Sequence, residues 1–481
     1  MQRIRPLAPY RLHNIQATRA LELAALASLA PNTLMQRAGL AVARLAAALL
    51  PHAGVIWLAC GPGNNGGDGM EAAVHLLQRG YQPVVTWLGQ PDQLPPDAHT
   101  AWQRAQQAGV EFATQAPQAP DLCIDALLGV GGTRKPQGTM AQWIGQINAS
   151  GAPVLAVDVP TGLNADTGAC SPVWVRADHT LSLLTLKPGL FTAHGRDAAG
   201  QVWWDTLGVE GNQQSVNAVL AGPPLPSLFA RSYASHKGNR GDVAVIGGAR
   251  GMVGAAMLAA SGALHAGAGR VFVSLLDDTT VTFHPDQPEL MLRPFAELAM
   301  DTVTVVCGCG GGTMVAAVLP DLLQTASKLV LDADALNAIA SDSTLQALLL
   351  HRAPGRPTVL TPHPLEAARL LGCSTAAVQA DRILAAQQLA QRFQCVVMVK
   401  GSGTVTAAPG RTPAINPTGN GLLATGGTGD VLAGLVAARV ASGVAAFDAA
   451  QMAAFQHGQL ADDWPAGKPL TASALATALT G

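Results

Sequence analysis

The chain has few charged residues and no surplus of basic ones. Charged residues make up 12% of its 481 residues, and 29 Lys and Arg against 31 Asp and Glu leave a formal net charge of −2. A protein that neutralises the phosphate backbone of a nucleic acid needs an excess of Lys and Arg. The composition therefore argues against nucleic acid as the main partner.

Cysteine is scarce as well, and its spacing is irregular. The seven cysteines are scattered along the chain. Cys307 and Cys309 resemble half of a metal site, but no CxxC partner and no nearby pair of histidines completes it. Reduced thiols in a cytoplasmic protein are the simpler interpretation.

The sequence also lacks a secretion signal and a membrane span. Residues 1–10 contain proline and arginine where a signal peptide would be apolar. The longest apolar stretches, such as Leu40–Leu50, fall short of the roughly 20 residues needed to cross a bilayer. We expect a soluble protein without a membrane partner.

Apolar and small residues are abundant. Hydrophobic residues make up 49% of the chain and there are 52 glycines, which is typical where helices pack closely on sheets. A chain of this length predicts two or three domains. The proline-rich segment Ala221–Pro226 interrupts every pattern, and it predicts one domain over 1–221 and another over 222–481.

Short apolar runs alternate with helical patterns on both sides of this boundary. Strands that alternate with helices predict parallel, doubly wound sheets of the α/β class. The predicted strands are 55–60, 83–88, 122–124, 154–157 and 180–184, followed by 243–246, 271–275, 303–307, 329–331, 359–360 and 396–399. The predicted helices include 15–30, 33–50, 70–79, 252–266 and a helical stretch from about 428.

In the first half, a glycine-rich loop is predicted over Cys60–Gly69, between a buried strand and a helix. Backbone N–H groups at a helix N-terminus form a ready anion site. Asn64, Asn65 and Asp68 add polar side chains that could bind a cation or orient a sugar or ring. A plain glycine turn of a dinucleotide-binding fold is the alternative.

Two aspartates follow other predicted strands of the same half. Asp125 precedes the loop Gly129–Lys135, and Asp158 precedes Thr161. In open parallel sheets, residues just past the carboxyl ends of the strands meet in one crevice. Each Asp could singly be a helix cap, but three such loops together favour a binding site.

The most specific motif of the second half is Asn416–Gly421 followed by Ala424–Gly434. A glycine-rich turn leads into a helix, so that the N–H groups of Gly427–Gly429 would surround a phosphoryl group in transfer. Asp430 is placed to take a proton from an attacking hydroxyl group. The alternative is a glycine C-cap followed by an Asp N-cap.

Two further segments of the second half carry polar residues after strands. Val399–Thr404 is typical of a strand that turns beneath an adenine nucleotide, although Lys400 could be a solvated charge at the strand end. His363 and Glu366 follow another strand. A lone histidine is more often structural than catalytic, and its position at a strand end leaves both roles open.

The three loops of the first half closely resemble those of the NAD(P)H-hydrate epimerase family, over roughly residues 10–215. The resemblance implies a Rossmann-like, three-layer αβα domain that interconverts R- and S-NAD(P)H hydrate. It also implies a potassium ion bound by Asn65, Asp125 and Thr161, whose oxygen ligands suit a hard cation. The family often has Ser in place of Thr161. The implied catalytic residues are Asp68 and Asp158, and the implied substrate-binding residues are Asn64, Asn65, Gly66, Gly67, Asp68, Gly129, Val130, Gly131, Gly132, Thr133, Arg134, Lys135 and Asp158.

The second half resembles the ADP- or ATP-dependent NAD(P)H-hydrate dehydratase family, a branch of the ribokinase-like αβα fold, over about residues 222–481. Further matches are Ser235–Gly238, Gly247–Gly248, Met252–Ala255 and Asp332–Asn337. The family usually shows Gly-Pro-Gly-Leu-Gly where this chain has Gly308–Gly312, which keeps the glycines and loses a stiffening proline. The implied hydrate contacts are Ala255, Gly310, Gly312, His363 and Asp430, with Asp430 as the catalytic base, and the implied nucleotide contacts are Lys400, Gly401, Ser402, Gly403, Thr404 and Gly429.

Together the two resemblances imply a bifunctional repair enzyme for NADHX and NADPHX. Hydroxide is a poor leaving group from C6 of the hydrated ring, so the second half would phosphorylate this hydroxyl with ADP, or else ATP, and Mg²⁺, and then eliminate phosphate. The first half would supply the correct epimer. A sugar or alcohol kinase, and a non-catalytic binding role for the first half, are the alternatives. We expect a cytoplasmic homo-oligomer.

Overall fold

The computed structural model describes residues 1–131, 135–209, 216–224, 240–276, 284–352 and 355–480. The chain divides into two compact units. The first comprises Met1–Arg5 and Tyr10–Ala218, and the second comprises Pro6–Pro9 and Val219–Gly481. Within the described residues, no helix combines the length and the apolar character that crossing a membrane requires.

The first unit contains a sheet whose strands are mostly parallel. Its elements are β1 (Gln2–Arg3), β2 (Tyr10–Leu12), α1 (Ile15–Leu26), α2 (Thr33–Leu49), β3 (Val55–Cys60), α3 (Asn64–Leu77), β4 (Gln82–Trp87), α4 (Pro96–Ala108), β5 (Glu111–Ala113), β6 (Leu122–Ala126), α5 (Gly138–Ala149), β7 (Val154–Val157), β8 (His179–Leu183), α6 (Gly195–Ala199) and β9 (Gln201–Asp205). The strand order is β1-β9-β8-β7-β6-β3-β4-β5. Only the pair β1–β9 is antiparallel among these described strands.

Strand β3 shows that this sheet is covered on both faces. Ile56 and Leu58 belong to a buried cluster with α2, α3 and α4. Trp57 and Ala59 belong to a second buried cluster with α5. Because side chains alternate between the faces of a strand, a continuous apolar run requires two covered faces. The Rossmann-like αβα prediction for the first half is confirmed.

The second unit is built on a longer sheet. Its elements are β10 (Ala218–Leu220), β11 (Asp242–Gly247), α7 (Val253–His265), β12 (Arg270–Leu275), β13 (Leu290–Leu292), β14 (Thr304–Cys307), α8 (Val315–Thr325), β15 (Lys328–Leu331), α9 (Ala333–Ser341), α10 (Ser343–Leu350), β16 (Thr358–Leu360), α11 (Pro364–Leu371), α12 (Thr375–Ala380), α13 (Arg382–Phe393), β17 (Val396–Val399), β18 (Val405–Ala407), β19 (Ala414–Ile415), α14 (Thr428–Ala441), α15 (Ala446–Asp462) and α16 (Ala472–Ala478). The order runs β13-β12-β11-β14-β15-β16-β17-β18-β19-β10.

The strands from β13 to β17 are parallel, as the alternation of strands and helices predicts. Strands β18 and β19, which the sequence did not predict, extend the sheet in antiparallel pairs. On one face α7 packs closely against α14, where a Cβ at Gly434 would lie 1.9 Å from the Ala259 carbonyl oxygen. The prediction of an α/β unit with a mainly parallel sheet is confirmed for the second half.

Candidate functional site

The segment predicted as a glycine loop in the first unit is largely helical. Helix α3 begins at Asn64, six residues before the predicted start at Met70. Its glycines serve close packing, because a Cβ at Gly66 would lie 2.0 Å from the Gly61 carbonyl oxygen, and one at Gly69 would lie 2.6 Å from Ala126. The predicted polar residues therefore occupy the start of a helix rather than a free loop.

Asp125, at the end of β6, and Thr161 form a fully buried pair in this unit. The Thr161 hydroxyl donates to Asp125 Oδ1 over 2.6 Å, and the Thr161 amide donates to Oδ2 over 2.7 Å. The Thr161 hydroxyl also accepts from the amide of Leu128 over 3.0 Å. Burial raises the pKa of Asp125 to about 6, and its hydrogen bonds with Thr161 and Leu127 oppose this rise. These contacts show that Asp125 is not a helix cap.

Asn65 adds an amide group to the same region. A Cβ at Gly129 would lie 2.9 Å from Asn65 Oδ1, which places this amide against the Gly129 loop. Its Nδ2 atom is buried and has no hydrogen-bond partner in the described part of the chain. The group fits a hard cation through its oxygen atoms, namely Asn65 Oδ1, the buried Asp125 carboxylate and the Thr161 hydroxyl, because such a cation takes oxygen ligands.

Asp158 forms an ion pair that the sequence analysis missed. Lys187, which is fully buried, donates from Nζ to Asp158 Oδ1 and to the Leu183 carbonyl oxygen, the latter over 2.7 Å. Asp158 also accepts from the Val130 amide over 3.4 Å, and its φ of 67° lies in the left-handed region. A lone lysine shortly after the apolar strand His179–Leu183 was the available signal for Lys187.

Asp68 on α3, unlike Asp158, is surrounded by negative charges. Burial, and then the charges of Asp158 and Glu22, raise the pKa of Asp68 well above its usual range. Burial and Asp158 also raise the pKa of Glu22, on α1. A carboxyl group with a raised pKa keeps its proton to higher pH than usual, and it can act as a general acid and, once deprotonated, as a base.

Four further predicted epimerase contacts that the structure describes follow β6. Gly129, Val130 and Gly131 are partly or fully exposed, and Lys135 is exposed. The Arg19 guanidinium lies near Gly131, with Nη2 3.6 Å from the place of a Cβ there. The predicted contacts Gly132, Thr133 and Arg134 lie outside the described residues.

In the second unit, Asp430 lies in the first turn of α14. Helix α14 begins at Thr428 after Gly427, whose φ is 90°. Burial, and then the charge of Asp332, raise the pKa of Asp430 to about 6. His457 is buried and contacts the Thr428 carbonyl oxygen through Nε2 over 2.9 Å, which ties the start of α14 to α15. A carboxyl group with this pKa at a helix N-terminus suits a general base.

Lys400, at the end of β17, is next to Asp430. Its Nζ donates to Asp332 over 2.6 Å, and it lies 3.4 Å from the place of a Cβ at Gly429. Ligand atoms of Cys309, Asp332 and Asp430 lie within 4.8 Å of one another. Residue spacing alone predicts no partner for Cys309, because Asp332 and Asp430 approach it only in the folded chain.

Two models of protein families match these two units. The model described as the YjeF-related protein N-terminus matches residues 31–189, and that of NAD(P)H-hydrate dehydratase matches residues 243–480. The bifunctional NAD(P)H-hydrate repair enzyme Nnr of Escherichia coli (strain K12) is 36% identical over 448 residues, which cover 89% of this chain and 84% of that protein. This chain belongs to the family of bifunctional NAD(P)H-hydrate repair enzymes.

Two further proteins are similar to this chain. The repair enzyme Nnr of Vibrio cholerae serotype O1 is 35% identical over 452 residues, which cover 89% of this chain and 88% of that protein. A solved structure of the Bacillus subtilis ADP/ATP-dependent NAD(P)H-hydrate dehydratase, co-crystallised with ATP/Mg²⁺, is 30% identical. It covers 51% of this chain and 90% of its own, with a TM-score of 0.43.

The loop Gly308–Gly312, where the resemblance led us to expect a proline, is ordered by glycine conformations and hydrogen bonds. Gly308 has a φ of 119°, and a Cβ there would lie 2.0 Å from the Asp332 carbonyl oxygen. Gly312 donates its amide to Asp334 over 2.8 Å. Gly310 packs against Ala255, so that the two predicted hydrate contacts adjoin. Glycine geometry and hydrogen bonds therefore order the loop without the ring of a proline.

His363 has a structural task at the start of α11. Its Nδ1 accepts from the amides of Leu365 and Glu366, while Glu366 accepts from the His363 amide, which completes a capping box. Burial, followed by the charge of Lys400, lowers the pKa of His363. With Nδ1 used by the cap, only Nε2 remains to face a ligand, and it lies 3.2 Å from Glu366.

Proposed function

We propose that this protein repairs hydrated NAD(P)H, with its first unit as an epimerase and its second as a nucleotide-dependent dehydratase. The observation that carries the proposal is the presence, in one chain, of two separate acid–base sites in units that match the two corresponding families. The S epimer is the dehydratase substrate, and the epimerase converts the R epimer into it.

In the first unit, we assign the proton transfer to Asp68. Its raised pKa suits exchange of a proton with the hydroxyl group at C6 of the hydrated ring. Asp158 is an anchor, because the ammonium of Lys187 holds its carboxylate beside the amide of Val130. Gly129–Gly131 would then receive the cofactor's phosphates through backbone N–H groups, together with the ammonium of Lys135.

Asn65, Asp125 and Thr161 fit a potassium site between the start of α3 and the loop of Asp158. The fit rests on the Asn65 Oδ1 atom beside Gly129 and on the fully buried Asp125 carboxylate with its Thr161 partner, which together offer oxygen ligands. A bound cation would join the two loops. Zinc is disfavoured, because the group offers neither a thiolate nor an imidazole.

In the second unit, Asp430 accepts the proton of the C6 hydroxyl, whose oxygen attacks the terminal phosphoryl group of ADP or ATP. AMP or ADP leaves. The C6–O bond then breaks with loss of phosphate, and loss of a proton from C5 restores the ring's double bond. The ammonium of Lys400 and the N–H groups of Gly427–Gly429 stabilise charge on the phosphoryl group. Mg²⁺ would enter with the phosphates of the nucleotide.

The nucleotide would lie on Lys400–Thr404, with ADP as the favoured co-substrate. All seven cysteines are unpaired, which suits the reducing conditions of the cytoplasm, the location that we propose. The buried thiol of Cys309 is part of the catalytic cluster in this assignment and not a zinc ligand.

The test supplies a mixture of R- and S-NADPH hydrate with Mg²⁺ and either ADP or ATP, and follows the return of reduced-nicotinamide absorbance. We expect the whole mixture to be repaired. A stable phosphorylated product would instead identify a kinase. Repair that stops when the S epimer is consumed would show that the first unit only binds.

A further inference from the structure

Arg382, the first residue of α13, lies buried beneath the predicted nucleotide loop. Its side chain is among the largest that are fully buried, with 2% of the residue exposed. Nη1 donates to the Ser402 carbonyl oxygen over 3.1 Å, and Nη2 donates to the Val399 carbonyl oxygen over 3.2 Å. The guanidinium therefore spans the turn that connects β17 to the rest of this loop.

Gly401 shows how tightly the loop is fitted to this guanidinium. Its φ of 136° is in the region that favours glycine, and a Cβ at this position would lie 2.6 Å from Nη1 of Arg382. The Thr404 hydroxyl closes the turn by donating to the Gly401 carbonyl oxygen over 3.1 Å. The conformation of the loop thus depends on the hydrogen bonds that Arg382 donates to its carbonyl oxygens and on the hydrogen bond of Thr404 within the turn.

The positive charge of Arg382 has no carboxylate partner within ion-pair distance among the described residues. Its Nε atom is also buried without a hydrogen-bond partner there. Burial lowers the pKa of Arg382 to about 10, which leaves it charged at neutral pH. By contrast, the ammonium of Lys400 on the same loop is paired with Asp332. An uncompensated buried charge is costly, and an anion bound at this loop would compensate it.

We propose that Arg382 is a positioning residue for the phosphates of the nucleotide. It holds the Lys400–Thr404 loop in shape, and it places under this loop a positive charge that the bound polyphosphate neutralises. The inference rests on the proposed nucleotide site. Because Arg382 is buried, it acts through the loop and does not touch the substrate.

The test measures the binding of adenosine, ADP and ATP to the full chain carrying Arg382→Gln, at low and at moderate salt. We expect adenosine affinity to change by less than about twofold, ADP affinity to fall by roughly 5- to 10-fold and ATP affinity to fall further, since the lost attraction scales with ligand charge. In turnover, the KM for ADP should rise more than kcat falls. Arg382→Lys should recover most of the loss, because it restores the charge.

Arg352 is the matched control. It is also a largely buried arginine that donates to carbonyl oxygens, namely those of Leu322, Leu323 and Ala326, and burial lowers its pKa to about 10. Arg352→Gln should lower thermal stability without changing the ratio of adenosine to ADP affinity. If Arg382→Gln does not fold, Gly401→Ala is the second variant, because its Cβ would displace the guanidinium and should weaken ADP binding selectively.

Equal losses for adenosine, ADP and ATP in the Arg382 variants, or a pattern identical to that of Arg352→Gln, would reduce Arg382 to a structural residue and overturn the inference. In that case the wild-type protein would still bind and use ADP, and the proposed function would stand. A wild-type protein that binds neither ADP nor ATP would overturn both.

Discussion

The sites of the two units share one arrangement, in which a lysine pairs with one carboxylate while a neighbouring carboxyl group has a raised pKa. In the first, Lys187 neutralises Asp158, while Asp68 keeps a raised pKa. In the second, Lys400 neutralises Asp332, while the pKa of Asp430 is raised to about 6. In each case one carboxylate is fixed by a lysine and a neighbouring carboxyl group can hold a proton.

The difference between the two lysines is as informative as the likeness. Lys187 is fully buried, and its ammonium donates to Asp158, Ser182 and the Leu183 carbonyl oxygen. Lys400 lies beside Gly429, at the start of the helix where a phosphoryl group would be transferred. A buried lysine can therefore be a structural counter-ion or a group available to a phosphate, and its position relative to a glycine-rich helix start separates these roles.

The largest expected effect separates the two units chemically. Asp430→Asn keeps the shape of the side chain and removes the base, so that dehydration should fall by roughly 10²–10⁴-fold. Epimerisation, measured by the conversion of purified R hydrate into S hydrate, should be unchanged. Near-normal dehydration by this variant would show that the base is another residue.

The next effect concerns the buried pair of the first unit. Lys187→Met leaves the Asp158 carboxylate buried without its cation, and it should lower the free energy of unfolding of this unit by about 3–5 kcal/mol. The double variant Lys187→Met with Asp158→Asn should recover much of this loss, because no buried charge remains. Additive losses in chemical denaturation would contradict the ion-pair account.

Removing the proposed potassium site should lower the rate of epimerisation, by a smaller factor than the loss of Asp430 lowers dehydration. We expect Asp125→Ala to reduce epimerisation by roughly 10- to 100-fold, the usual range for disturbing the surroundings of a metal, and to leave dehydration of S hydrate unchanged. Wild-type epimerisation should be faster in potassium than in sodium or choline salts of equal ionic strength. Equal rates in all three salts would remove the ion from the mechanism.

The smallest effect is a shift in pH dependence. Because Asp430 must be deprotonated to act, dehydration should be lost as pH falls through about 6. The charge of Asp332 raises the pKa of Asp430 and the thiol of Cys309 lowers it, with Lys400 also lowering it and Asp334 raising it. The acidic limb of kcat/KM should therefore move to lower pH in Asp332→Asn and to higher pH in Cys309→Ala, each by less than about one unit.

Cys307→Ala is the control for this shift, because Cys307 is equally buried and only burial acts on its pKa. Its pH profile should match that of the wild-type protein. Shifts of the same sign in Asp332→Asn and Cys309→Ala would show that the two groups do not act on Asp430 electrostatically.

The parallel strands were predictable because their side chains are buried on both faces and produce continuous apolar runs, as in Val55–Cys60. The start of α3 at Asn64 was not predictable by the same rule. Its glycines resemble a loop, and only the nearby backbone of Gly61 explains why a helix has them. The roles of Lys187 and Arg382 were not predicted either, because neither residue lies in a motif and the partners of each are known only from the folded structure.

By itself, the sequence determined the class of each unit and the loops that carry polar groups, because strand periodicity and glycine-rich turns are local properties. Only the tertiary structure decided which carboxylate is neutralised and which can hold a proton. Lys187 is 29 residues from Asp158, and Lys400 is 68 residues from Asp332. A carboxyl group's pKa depends on its burial and on the charges that surround it, and both are set when distant segments pack together.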